Sequence, residues 1–146
     1  MMDNYAKILK YCAFRDRSVL EVRRKMAELK VSEQESEQLM QELLEEGFVD
    51  DARFAEGFVR GKMTYNRWGR VKIRAELLQR GVSSNIIAEQ LNSLDQNLYE
   101  KNLKYLIERW KRENPVADNA KMFRHLLAKG YTYDEVRQCV SNLEEP

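Results

Sequence analysis

Apolar residues recur along this chain at helical spacing, and three segments repeat one pattern. EVRRKMAELKVS spans Glu21 to Ser32, RWGRVKIRAELLQRGVS spans Arg67 to Ser83, and KMFRHLLAKGYT spans Lys121 to Thr132. Val22, Ile73 and Met122 correspond, at offsets of 51 and 49 residues. So do Met26, Leu77 and Leu126, and then Val31, Val82 and Tyr131. The first two of each set stand at i, i+4, on one face of a helix. Each copy ends at Lys30, Gly81 or Gly130, where a helix C-terminus commonly takes a left-handed residue. A hydroxyl follows two positions later. Ser32 with Glu35, and Thr132 with Glu135, form S/T-x-x-E boxes that start the next helix. Ser18, with Glu21 as box partner, Gly69 and Asp118 stand as N-caps in front of the repeated helix.

The pattern predicts an all-α fold of three tandem three-helix repeats. First helices are expected near 5–13, 51–64 and 97–112. Middle helices are expected near 19–30, 70–80 and 119–129, and third helices near 33–46, 84–94 and 133–143. Inward faces are assigned to Leu39, Met40 and Leu43, to Ile87, Leu91 and Leu94, and to Val136, Val140 and Leu143. Tyr99, Leu103, Leu106 and Trp110 line the long helix. The repeats are placed at 1–50, 51–96 and 97–146. A unit of ~45 residues is too small to stand safely alone. Stacking is therefore expected to give an elongated, curved molecule with a shared core. Asp50-Asp51 and Leu94-Asp95-Gln96 leave almost no linker, which argues against separate beads.

Composition narrows the chemistry. Of 146 residues 43% are hydrophobic, enough for a core, and 34% are charged. No apolar run reaches the ~18 residues of a membrane span, and the first residues lack the h-region of a secretory signal. A cytoplasmic protein without a membrane partner is expected. Cys12 and Cys139 fall on helical apolar positions and read as core thiols. His125 reads as a partly exposed helix residue. No zinc spacing, phosphate loop or dinucleotide fingerprint occurs. Asp50-Asp51 could be imagined as a metal pair, but Asp51 as the N-cap of Ala52-Arg53-Phe54 is the better reading. No enzyme, cofactor or metal is expected.

The net charge of +1 conceals two opposed blocks. Residues 32–51 hold Glu33, Glu35, Glu37, Glu42, Glu45, Glu46, Asp50 and Asp51 with no Lys or Arg. Residues 60–80 hold Arg60, Lys62, Arg67, Arg70, Lys72, Arg74 and Arg80 against Glu76 alone. Tyr65 and Trp68 are interleaved. Cations with aromatics suit a phosphate backbone with stacked bases, or a hot spot on a protein partner. The competing reading is a solvated basic face whose aromatics cap the core. The binding residues are assigned to Arg60, Lys62, Arg67, Trp68, Arg70, Lys72 and Arg74. A helix, tight turn and helix with a basic flank also resembles a helix-turn-helix DNA reader. Against that, the first third-helix is Glu-rich, and the second offers only Asn85, Gln90 and Asn92.

FVDDARFAEGFVRGKMTYNRWGRVKIRAELLQRGVS, residues 48–83, resembles the central signature of the RecX family, regulators of the RecA recombinase. The runs Gly69 to Leu77, Arg80 to Val82 and Asp50 to Phe54 carry the likeness. RDRSVLEVRRKM at 15–26 resembles the family's first-repeat signature, with Met26 where leucine is common. HLLAKGY at 125–131 resembles its third-repeat ending. The resemblance implies a cytoplasmic, non-enzymatic regulator of three tandem repeats. Such a protein lies in the groove of the RecA filament on single-stranded DNA and opposes its growth or persistence. ATPase, strand exchange and coprotease activity fall, with consequences for recombination, DNA repair and the SOS response. The expected species is a monomer with weak direct DNA contact at most, because a near-neutral chain releases few counterions on bare duplex. The alternative is a plain helix-turn-helix DNA-binding regulator.

Overall fold

The computed structural model describes residues 3–116 and 118–144, and their regular structure is helical, without strands. α1 runs Asn4–Phe14, α2 Val19–Glu28, α3 Glu33–Glu45, and α4 Asp51–Gly61, extended by a π-helical turn over Lys62–Asn66. α5 runs Arg70–Gln79, α6 Ser84–Asn92, α7 Gln96–Glu113, α8 Asn119–Ala128 and α9 Tyr133–Glu144. These are the nine expected helices, grouped in threes.

Local chemistry sets most of the ends. Ser18 accepts from the Glu21 N–H while the Glu21 carboxylate accepts from the Ser18 N–H, a complete capping box. Thr132 and Glu135 reciprocate in the same way. Ser32 accepts from the Glu35 N–H at 3.2 Å. Lys30, Gly81 and Gly130 all adopt positive φ, at 60°, 80° and 105°, so one left-handed turn closes α2, α5 and α8.

The first turn of α4 differs from expectation. The cap is Asp50, not Asp51: its carboxylate accepts from the Arg53 N–H at 3.1 Å and its carbonyl from the Phe54 N–H at 2.9 Å. Asp51 is already helical, and its carboxylate accepts instead from the Val19 N–H at 2.8 Å, tying α4 to the start of α2. Two adjacent aspartates offer the same local chemistry. The distant Val19 donor assigns their tasks.

The chain divides into two compact units, Met1–Phe58 with Leu77–Gln90, and Val59–Glu76 with Leu91–Pro146. In the first, Ile8, Val22, Met26, Val31, Leu39, Met40, Leu43 and Val49 form one buried cluster. In the second, α7 packs against the π turn, α8 and α9. Tyr99, Leu103, Leu106 and Ile107 are buried there, as are Met122, Leu126, Tyr131, Val136 and Val140. Trp110, expected in the core, is half-buried and stacks on His125 at 5.0 Å. Leu94 and Leu143 are also only half-buried, since α6 stops at Asn92 and Leu143 lies in the last turn of α9. The buried Asn102 donates its Nδ2 to the Met63 carbonyl at 2.9 Å, so a backbone oxygen inside the π turn is satisfied.

Candidate phosphate-binding site

The site is built in the second unit, where the π turn hands over to α5. The Lys62 carbonyl accepts from the N–H groups of both Arg67 and Trp68. Arg67 sits in the left-handed region at φ 53°. Such a conformation in a residue with a Cβ costs roughly 1–2 kcal/mol, and neighbours hold it. Tyr131 donates its hydroxyl to the Arg67 carbonyl at 2.8 Å, and Lys129 donates its Nζ to the Asn66 carbonyl at 3.4 Å. The reversal delivers Arg67 and Trp68 side by side, ahead of α5.

α5 then begins against the end of α8. The Gly69 N–H donates to the Lys129 carbonyl at 2.9 Å and the Val71 N–H to the Gly130 carbonyl at 3.0 Å. The Arg70 N–H donates to the Tyr99 hydroxyl at 3.1 Å. Free N–H groups at a helix start ordinarily attract anions. Here those of Gly69, Arg70 and Val71 are spent on protein acceptors, which leaves little of that attraction for a ligand.

Those side chains form a cationic cluster on an aromatic frame. Lys62 and Lys72 lie over the Trp68 ring, at 4.7 and 4.5 Å from its centroid. Arg67 and Arg109 lie over Tyr105, at 4.1 and 5.5 Å. Each contact contributes about 0.5–1 kcal/mol where exposed and restrains a long side chain. Burial, followed by the charges of Arg109, Lys72 and Arg67, pulls the Lys129 ammonium below its ordinary value. Burial and the charges of Lys129 and Arg109 likewise hold His125 low, against a partial pull upward from Glu113. An arriving anion would relieve this crowding.

Of the residues assigned from sequence, Lys62, Arg67, Trp68 and Lys72 come together. Arg60 and Arg74 are exposed, on α4 and α5. Arg70 turns inward: its guanidinium bonds Gln96 at 2.7 Å and Glu135 at 3.4 Å and lies 4.2 Å from the Tyr99 ring centroid. Burial pushes the Tyr99 hydroxyl far up its scale, so it stays neutral beside Arg70. Tyr105, Arg109 and Lys129 are members that sequence reasoning missed. Tyr105 and Arg109 are one turn apart on α7, which marks a shared face but not its neighbour. Trp68 has cations stacked over its ring, so it reads as the mount for Lys62 and Lys72. Tyr65, 83% exposed, is the open aromatic nearby in sequence.

Burial pushes both thiols, Cys12 and Cys139, up from the ordinary range, which disfavours thiolate. Among the described residues no group of His, Cys, Asp and Glu gathers as metal ligands, and no helix is long and apolar enough to cross a membrane.

Residues 50–91 match the family model described as RecX, second three-helix domain. A protein of Halalkalibacterium halodurans named Regulatory protein RecX is 30% identical over 139 residues, covering 92% of this chain and 52% of the relative. Proteins of the same name from Clostridium botulinum and Clostridium perfringens are 36% and 31% identical, over 67% and 84% of this chain and 48% and 60% of theirs. The chain thus spans about half the length of the curated relatives it matches. The crystal structure of RecX from Lactobacillus salivarius superposes with a TM-score of 0.88 over 96% of this chain and 94% of that one, at 24% identity. A second crystal structure, of regulatory protein RecX, gives 0.83 over 94% and 70%, at 20% identity. These likenesses carry the helical fold, and the signature at residues 50–91 holds Lys62, Arg67, Trp68 and Lys72. With its matched domain, its curated relatives and its fold in agreement, this chain belongs to the RecX family.

Proposed function

We propose that this chain is a non-enzymatic regulator that binds the RecA filament on single-stranded DNA and inhibits its growth, ATPase, strand exchange and coprotease activity. In this reading it acts as a monomer in the cytoplasm, with the repeats at 1–50, 51–96 and 97–146 as its building blocks. The observation that carries the proposal is the crowded cluster of Lys62, Arg67, Lys72, Arg109 and Lys129 on Trp68 and Tyr105. It matches a phosphate backbone held within a protein fibre. A net charge of +1 limits counterion release on bare DNA, so the protein wall of the filament must add to the affinity.

The test adds the protein to RecA on single-stranded DNA and follows ATP hydrolysis. A fall is expected, and Arg67→Glu with Lys72→Glu is expected to weaken it while circular dichroism shows helical content unchanged. Undiminished inhibition by that variant would remove the cluster from the interface. Hydrolysis indifferent to the native protein would remove the function. The alternative, a helix-turn-helix DNA regulator, draws on the tight turn between α5 and α6. It requires a sequence-selective footprint on naked duplex at physiological salt.

A further inference from the structure

We infer that the first compact unit carries a second ligand site, a groove between α1 and α2 that takes an acidic, apolar-anchored segment of a protein partner. This goes beyond the phosphate reading and stands on different residues. The groove has a volume of about 590 Å³ and is lined by Lys7, Lys10, Tyr11, Phe14, Arg17 and Lys25, with Ala13 and Leu29 completing its floor. Four of these are cations and none is a carboxylate.

Two of the cations, Arg17 and Lys25, are held before any ligand arrives. Arg17 donates its Nε to the Tyr11 carbonyl at 3.1 Å, and its guanidinium lies 3.8 Å from the Tyr11 centroid and 5.7 Å from that of Phe14. Lys25 lies 5.5 Å from the Tyr11 centroid and shares its charge with Glu28 at 3.4 Å. Glu21 sits near enough for the Arg17 charge to act on its carboxyl, but its hydrogen bonds go to Arg15 and the Ser18 N–H. Lys7 and Lys10 stand at i, i+3 on α1 and share a helical face. Phe14 is 83% exposed at the end of α1. Phe14 is too open to be a core residue, and with Arg17 beside it offers the groove an accessible ring.

Charge and carbon together select the occupant. Carboxylates would meet Lys7, Lys10 and Arg17 while one apolar side chain covers Phe14, Ala13 and Leu29. A nucleic acid fits less well. The Tyr11 ring already holds two cations, which leaves Phe14 as the open π-face of the lining, whereas a strand is held by several stacked bases. An apolar side chain is served by any carbon surface.

The probe is a short fluorescein-labelled peptide of the repeat Glu-Glu-Leu-Phe, titrated with the full chain and followed by anisotropy. Saturable binding that weakens with salt is expected. Exchanging every Glu of the peptide for Gln is expected to cost at least about tenfold in affinity. Lys7→Glu with Lys10→Glu is expected to do the same, as is Phe14→Ala, whose exposure makes it harmless to folding. Equal binding of the Gln peptide, or no loss in either variant, overturns the proposal. Displacement of the peptide by oligo-dT from the native chain and from Arg67→Glu/Lys72→Glu alike would reassign the groove to nucleic acid. Self-association that the peptide disperses would reassign it to a second copy through the acidic α3. Because the readout contains no recombinase, its failure is distinct from failure of the filament reading.

Discussion

Gly69 and Gly130 meet backbone to backbone: a Cβ built on Gly69 would lie 2.4 Å from the Gly130 carbonyl carbon. The contact lets the end of α8 accept the first N–H groups of α5, which places Lys72 beside Lys129. Gly130 faces a double constraint. Its φ is 105°, and an added Cβ would lie 2.5 Å from the Lys72 Cβ. Gly130→Ala is therefore expected to destabilise by at least about 2–3 kcal/mol, and Gly69→Ala to be strongly destabilising through the clash alone. Gly61 has an ordinary helical backbone and nothing within 4 Å of an added Cβ. Gly61→Ala is expected to stabilise by about 0.4–1 kcal/mol. Urea unfolding of the three variants checks the order.

Two carboxylates give opposite pH dependences. Burial alone would raise Glu21, but the hydrogen bonds from Arg15 and Ser18 and the charges of Arg15 and Arg17 hold it below the usual range. Its folded value is lower than its unfolded one. Its stabilisation is complete above the ordinary Glu range and is lost as pH falls through the depressed value. Asp51 is raised, by burial and then by the charges of Asp50 and Glu21, against the Val19 hydrogen bond. Its folded form holds the proton more tightly, so its contribution declines as pH rises from the ordinary Asp value through the raised one. Glu21→Gln is expected to flatten the acid loss of stability and Asp51→Asn to steepen the rise. Denaturant midpoints across the acid range measure both.

Arg70 and Arg74 occupy one helix turn but have different work. Arg70→Glu breaks the bonds to Gln96 and Glu135 and sets two carboxylates together, at an expected cost of about 1–3 kcal/mol. Arg74 is exposed, and Arg74→Glu is expected to change stability by less than about 0.5 kcal/mol. A thermal melt of each variant separates them. Loss of filament inhibition by Arg70→Glu is then a folding effect, whereas loss by Arg74→Glu is a contact.

Trp68 is expected to act through the lysines stacked on it. Trp68→Ala removes the ring beneath Lys62 and Lys72 and is expected to weaken filament binding several-fold to about thirtyfold, with Trp68→Phe between it and the native protein. The salt slope of binding is the decisive quantity. It is expected to stay near the native value in Trp68→Ala, because the charges remain, and to fall by about one in Lys72→Ala. A slope unchanged by Lys72→Ala would mean that this lysine meets no phosphate.

The helices, their grouping in threes and the left-handed closures at Lys30, Gly81 and Gly130 were legible in the amino-acid order. They depend on groups within about one helical turn of each other, as in the Ser18–Glu21 box or the Val22 and Met26 face. The basic character of residues 60–74 and the family signature were legible for the same reason. The tertiary structure decided everything that needed a distant partner. The Val19 N–H claims Asp51 and leaves Asp50 as the cap. Glu135 and Gln96 draw Arg70 inward. The glycine contact carries Lys129 to Lys72, and packing of α7 on the π turn brings Tyr105 and Arg109 to Arg67. None of these meetings leaves a local trace, because burial of apolar faces chooses which segments touch, and side-chain charge only then finds its neighbours.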